Sequence, residues 1–171
     1  MKLWKILFAL SCTFLILNTP LFCSFVEAEK EIPSFFLNKD ADDVISGLNK
    51  RRKSKKLKPF SSEEALTNAA CTLGEGMYVH EYLFSMLPNG DDWRNILPRK
   101  IKDCAIYIAF GYDHEKPTAE RLLNTIMASQ TGNDLSMNSY QNIGVGLYAA
   151  EDEGDWLWFC IIIYANIPEE N

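Results

Sequence analysis

Few side chains in this sequence have the type and spacing to do chemistry. The two histidines, His80 and His114, are each followed by a glutamate. A zinc-hydrolase helix needs His-Glu-x-x-His, which sets two imidazoles on one face, and neither pair has the second histidine. Neighbours on a helix point about 100° apart, so His80 and Glu81 do not share one ligand site. His114 falls in a polar turn before Pro117. Both histidines read as surface residues, because nothing in the sequence converges on them. A thiol nucleophile needs a cysteine paired with a histidine. Cys71, Cys104 and Cys160 instead sit in apolar surroundings, where a thiol is inert. The Gly-x-Ser-x-Gly elbow of serine hydrolases does not occur. Gly144-Val145-Gly146 lacks the third glycine and the following helix of a phosphate loop, so it reads as a strand feature. The expectation is a non-catalytic chain with no metal ligands and no cofactor.

Two stretches could bind instead. Lys50, Arg51, Arg52, Lys53, Lys55, Lys56 and Lys58 place seven basic residues within nine positions. One reading is a docking patch for anionic lipid, glycan or nucleic acid, or for a protein partner. The plainer reading is a solvated helix end and loop, where cations complement the helix C-terminus. Cleavage after the paired basic residues is a third, and it would sever the first helix. The other stretch holds Phe84, Met86, Trp93, Ile96 and Leu97, which would line a site for a small apolar ligand. Ordinary core cover is the plainer reading of the same residues.

The elements that would position these groups are organised around residues 142–167. Asn142 to Ala150 and Trp156 to Ala165 are short apolar runs, rich in β-branched and aromatic residues, around an acidic loop with Gly154. That pattern predicts an antiparallel hairpin. The second run is apolar on both faces, so it belongs in the middle of a layered domain. Upstream, Asp40 would cap a first helix with Val44, Ile45 and Leu48 on its apolar face. Ser61 and Ser62 would begin a second, with Leu66, Ala69, Ala70, Leu73 and Met77 as its buried stripe. Its apolar pattern continues through Tyr82, Leu83 and Phe84, to end at Pro88-Asn89-Gly90. Cys104 to Phe110 reads as a buried strand ended by Gly111, and Thr118 as the cap of a third helix. Gln130 to Gln141 reads as a polar loop. This order implies an α/β fold, a three-layer α-β-α sandwich with a mainly antiparallel central sheet.

The N-terminus reads as an address. Lys2 and Lys5 precede an apolar run, Ile6 to Leu17, and small Val26 and Ala28 follow. This is the pattern of a secretory signal peptide cleaved after Ala28. A cut after Cys23 or Ser24 puts larger residues at the key positions. An uncleaved anchor is the alternative, but the run falls short of the about 20 residues a membrane span needs. The expected boundaries are a signal peptide at 1–28, an arm at 29–39, a domain at 40–167 and a tail at 168–171. From residue 29 onward, 15 basic residues face 22 acidic ones, a net charge of −7. That balance argues against nucleic acid as the main partner. Of five cysteines, the three beyond residue 28 are an odd number. Outside the cell that means at most one bridge with a free thiol left over, or pairing with another chain.

Three pieces in order carry a family resemblance. Val44-Ile45-Ser46-Gly47-Leu48-Asn49-Lys50-Arg51-Arg52, then Leu57-Lys58-Pro59-Phe60, is similar to an "hhNxxRxxxGLxPL" opening. Leu66 to Met77 is similar to "LxxxAxxxAxxM", and Ile143-Gly144-Val145-Gly146 with its aromatic strand to "iGvG…wxqxF". From about Asp40 to Ala165 the chain resembles the CAP superfamily, the cysteine-rich secretory, antigen 5 and pathogenesis-related 1 proteins with SCP domains. The resemblance implies an α-β-α sandwich and, in many members, a cleft of two histidines and two glutamates that holds zinc. Here the glutamate position falls on Ile106, a histidine position falls on Asn133, and His80 comes early. Such a cleft lacks the ligands zinc needs. The expectation is a secreted, degenerate CAP/SCP-like binding protein acting through a protein partner or receptor, or a sterol or fatty acid. A weak zinc-dependent hydrolase or protease of the CAP type is the alternative.

Overall fold

Apolar stripes at helical spacing and alternating runs need partners to cover them, and in the computed structural model each finds one. The structure describes residues 38–80, 87, 89–98, 101 and 103–168. They lie in one compact unit spanning Ile32–Asn171. In chain order the elements are helix α1 (Asn38–Ser54), strand β1 (Ser61–Ser62), helix α2 (Glu64–Val79), a 3-10 turn (Trp93–Ile96), strand β2 (Asp103–Asp113), helices α3 (Ala119–Ala128) and α4 (Gln130–Ser136), and strands β3 (Asn142–Asp152) and β4 (Asp155–Asn166). The sheet order is β1-β3-β4-β2. β4 is antiparallel to both β3 and β2, and the short β1 runs parallel to β3. The fold is an α-β-α sandwich with a mixed, mainly antiparallel sheet.

β4 is central because it is apolar on both faces, and its residues 158–165 are all buried. Trp158, Cys160, Ile162 and Tyr164 face one core with Val44, Leu48, Leu122 and Ile126, from α1 and α3. Phe159, Ile161, Ile163 and Ala165 face the other core with Leu66, Ala70, Leu73 and Met77 of α2. The period of two along a strand sorts the residues this way. Each fully buried aliphatic contributes roughly 1.5–3 kcal/mol. On β3, Gly144 and Gly146 face α2. A Cβ on Gly144 would land in the backbone of Leu66 and Thr67, and one on Gly146 would stand 2.5 Å from the Ala70 carbonyl carbon. Alanines on the helix and glycines on the strand therefore let α2 lie directly on the sheet. The hairpin closes through Glu153 and Gly154, at φ 56° and 90°. Positive φ at both turn residues matches the twist of the flanking strands.

Four local expectations are corrected. Helix α1 begins at Asn38, which puts Asp40 in its first turn rather than at its cap. Ser61 and Ser62 belong to β1 rather than to α2, because Ser61 N–H donates to Gln141 O (2.8 Å) and Glu63 N–H to Ile143 O (2.9 Å). β2 runs through Gly111 to Asp113, since the missing Cβ leaves room for the Trp158 indole. Residues 130–136 are helix α4, started by Ser129, whose Oγ accepts from Gly132 N–H. Helix α2 ends at Val79, and the proposed continuation through Phe84 lies outside the described residues. The Thr118 cap of α3 is present and accepts from Arg121 N–H (3.2 Å). Among the described residues no helix is long and apolar enough to cross a membrane.

Candidate functional site

Asn49 and Arg52 stand three residues apart near the end of α1, and both reach out to hold backbone. Asn49 grips Phe60 twice: its amide donates to Phe60 O (3.1 Å) and its Oδ1 accepts from Phe60 N–H (2.7 Å). The Arg52 guanidinium donates to Lys58 O at 2.6 Å, Ser136 O at 2.9 Å, Asn138 O at 2.8 Å and Tyr140 O at 3.2 Å. It also lies over the Phe60 ring, 3.9 Å from its centroid. Arg52 is only 2% exposed, so its charge belongs to the interior and not to the surface run. Burial lowers its pKa, partly offset by Tyr164. Beside it, Ser136 Oγ shares a hydrogen bond with Tyr164 Oη (3.0 Å), and burial raises the Tyr164 pKa. These contacts tie the end of α1 and the loop to Phe60 onto the segment leaving α4.

Lys50, Arg51, Lys53, Lys55, Lys56 and Lys58 remain exposed. Two open grooves flank them. One, of about 490 Å³, runs between α1 and α3, lined by residues that include Asp43, Gly47, Lys50, Glu120 and Leu123. The other, of about 450 Å³, lies between the α1 end and α3–α4. Arg51, Ser54, Lys55, Leu57, Met127, Asn133 and Met137 line it. Arg51 is common to both.

The other sequence candidates are dispersed. Trp93 and Leu97 are buried under α2 as core cover, with Ile96 half-buried beside them. Phe84 and Met86 lie outside the described residues. Ile106 packs on the α2 face of the sheet, whereas Asn133 lies on α4, which packs against the opposite face. The structure does not bring these two positions together; it is Tyr107, one residue on, that faces α4 at Gly132. His114 is 95% exposed, with Nδ1 2.5 Å from Asp155 Oδ1 at the hairpin end. His80 is the exposed C-cap of α2. Among the described residues no three His, Cys, Asp or Glu side chains come together in a way that would hold a metal ion. The donor set of the described residues therefore does not fit zinc.

Cys71, Cys104 and Cys160 are free thiols. Cys104 and Cys160 lie on opposite faces of the sheet, which keeps them apart. Burial raises the Cys71 pKa, helped by the Glu75 charge, and pushes Cys160 up to about 12. Burial also raises Cys104, against the pull of Arg94. These thiols stay protonated and poorly nucleophilic at neutral pH.

Sequence reasoning missed the role of Arg52 and the groove beside it. A signal was present for Arg52: residues 45, 48 and 52 continue one helical stripe, so position 52 points inward. Nothing comparable marked Leu57, Met127 and Met137, which come from three segments.

No protein-family profile matches the sequence, and no curated protein matches it either. Solved structures do. The chain superposes on an outer surface protein from Borrelia burgdorferi with a TM-score of 0.64 at 12% identity, over 79% of this chain and 98% of that one. An extracellular protein containing a SCP domain from Bacillus anthracis str. Ames matches with a TM-score of 0.61 at 15% identity, over 75% of this chain. This chain spans 41% of the Bacillus protein. The fold is thus that of an SCP domain, as the motifs implied.

Proposed function

We propose that this chain, on its CAP/SCP-like fold, is an exported, non-catalytic binding protein that acts through a protein partner. One observation carries the reading: the exposed cations Arg51 and Lys55 line the groove at the end of α1, beside the buried Arg52. The potential catalytic groups support it by their placement, since the histidines are exposed and peripheral and the thiols are held neutral. Export is supported by the signal-peptide pattern at residues 1–28, which lie outside the described residues, and by the outer-surface and extracellular descriptions of the two structural neighbours. A small apolar ligand, a sterol or fatty acid, is the second reading, supported by Leu57, Met127 and Met137 in the lining of the groove between the α1 end and α3–α4.

Native mass spectrometry of the exported protein, followed by solvent extraction, is the test. The expected result is an apoprotein that starts at Glu29 and carries neither lipid nor zinc. A stoichiometric lipid would move the reading to the apolar ligand. Peptide hydrolysis that rises with zinc and vanishes in the His80→Ala/His114→Ala protein would overturn the non-catalytic reading.

A further inference from the structure

We propose that the groove between the α1 end and α3–α4 binds an extended acidic segment of a protein partner. One apolar side chain of that segment sits on Leu57, Met127 and Met137, and flanking carboxylates meet Arg51 and Lys55. The proposal rests on the binding reading above and names the chemistry of its partner.

Four observations converge on it. The first is charge. Six exposed cations cluster at one end of a helix, on a chain whose net charge is −6. An acidic occupant is drawn to this patch and repelled elsewhere, which orients its approach. The second is the lining. Leu57, Met127 and Met137 give the cationic groove an apolar floor, and methionines adapt to the shape of what they meet. A solvated charge run needs no such floor. Asn133 adds a neutral amide to the lining, and an amide can both donate to and accept from a peptide backbone.

The third is preorganisation. Arg52 ties Lys58 O, one residue after Leu57, to Ser136 O and Asn138 O, which flank Met137, so the segments that carry two of the lining residues are fixed before anything binds. A groove of this kind loses little entropy on binding. The fourth is Lys56. It follows the helix at φ 60°, in the left-handed region, where a lysine is less comfortable than a glycine. Lys56 N–H donates to Lys53 O (3.0 Å) and Leu57 N–H to Arg52 O (2.9 Å), the Schellman pattern that normally places glycine there. A cation kept at that cost beside the groove is accounted for if its charge is used.

The test is fluorescence anisotropy on the exported chain. The probe is a labelled peptide of about twelve residues, which when extended reaches past the groove on both sides, made of glutamate and aspartate around one central leucine. A second peptide carries alanine at the centre, and phosphatidylserine vesicles serve as a different anionic surface. The leucine peptide is expected to bind about tenfold more tightly than the alanine peptide. Arg51→Glu/Lys55→Glu is expected to cost tenfold or more in affinity, and Lys53→Glu, exposed but outside the groove lining, much less. Affinity should fall as salt rises. Circular dichroism checks that the variants, all at exposed positions, remain folded. Equal binding of the two peptides overturns the proposal. So does equal damage from Lys53→Glu and the double reversal, and so does binding of vesicles without binding of peptide. Absence of any peptide binding overturns the groove proposal but leaves the non-catalytic reading standing. Cleavage of the bound peptide, seen by mass spectrometry, overturns the non-catalytic reading while leaving the groove.

Discussion

Arg52 is a buried cation that is solvated by carbonyl oxygens and a ring face, with four backbone acceptors around its guanidinium. Removing it strands those acceptors, which costs more than the bonds themselves contribute. Arg52→Ala is expected to lower the urea-unfolding free energy by about 2–4 kcal/mol. Arg51→Ala, one residue earlier and exposed, should change it by under about 0.5 kcal/mol. Equal losses at the two positions would refute the anchoring role. Cys160 makes a prediction in pH. Its folded pKa is raised from 9.0 to about 12 by burial, so the folded state keeps the proton that the unfolded state releases. Its contribution is fully present below pH 9 and is lost as pH rises from 9 toward 12. The slope from one such group is at most about 1.4 kcal/mol per pH unit. Tyr164, also raised by burial, adds to the loss in the same direction. Urea unfolding from pH 8 to 11 should show the decline, and Cys160→Ala should make it shallower.

At the scale of elements, the contact between α2 and β3 is set by missing side chains. Gly144 and Gly146 admit the helix backbone at residues 66–71 directly onto the strand. Gly146→Ala or Gly144→Ala is expected to cost roughly 1–3 kcal/mol each through overpacking, read as a fall in melting temperature. The end of α1 works in the other direction. Lys56→Gly relieves a left-handed backbone and should stabilise by up to about 1 kcal/mol, less the entropy that glycine adds to the unfolded chain. The same change should weaken the acidic peptide. A variant that gains stability and loses binding would identify Lys56 as held for its charge.

For the whole molecule, both cores draw their buried residues from positions 44–165. They share one sheet, with β4 contributing to each through alternate residues. Loosening one face therefore exposes the other, and a chain beginning at Glu29 is expected to unfold as one cooperative unit. Far-ultraviolet circular dichroism and tryptophan fluorescence should give coincident urea transitions. Trp93 reports on the α2 core and Trp158 on the α1 core, so two separate transitions would mean that the layers fold independently.

The layers were legible in the order of residues alone. Period-two and period-3.6 patterns act locally, so the hairpin, the inner faces of α1 and α2, the start of α3 and the central place of β4 followed from residues read in order. The Gly144-Val145-Gly146 and Asn49-Lys50-Arg51-Arg52 pieces marked the fold type as well. What the sequence did not hold was decided by partners distant along the chain. Ser61 and Ser62 look like a helix start until β3 offers their backbone a ladder. Residues 130–136 look like a loop until Gly132 and Ser136 tuck beneath β2 and β4 as a helix. Arg52 looks like one of seven surface cations until carbonyls 84 to 88 residues away meet its guanidinium. The groove follows the same logic, because its cations come from one helix end and its apolar floor from three segments that only folding brings together.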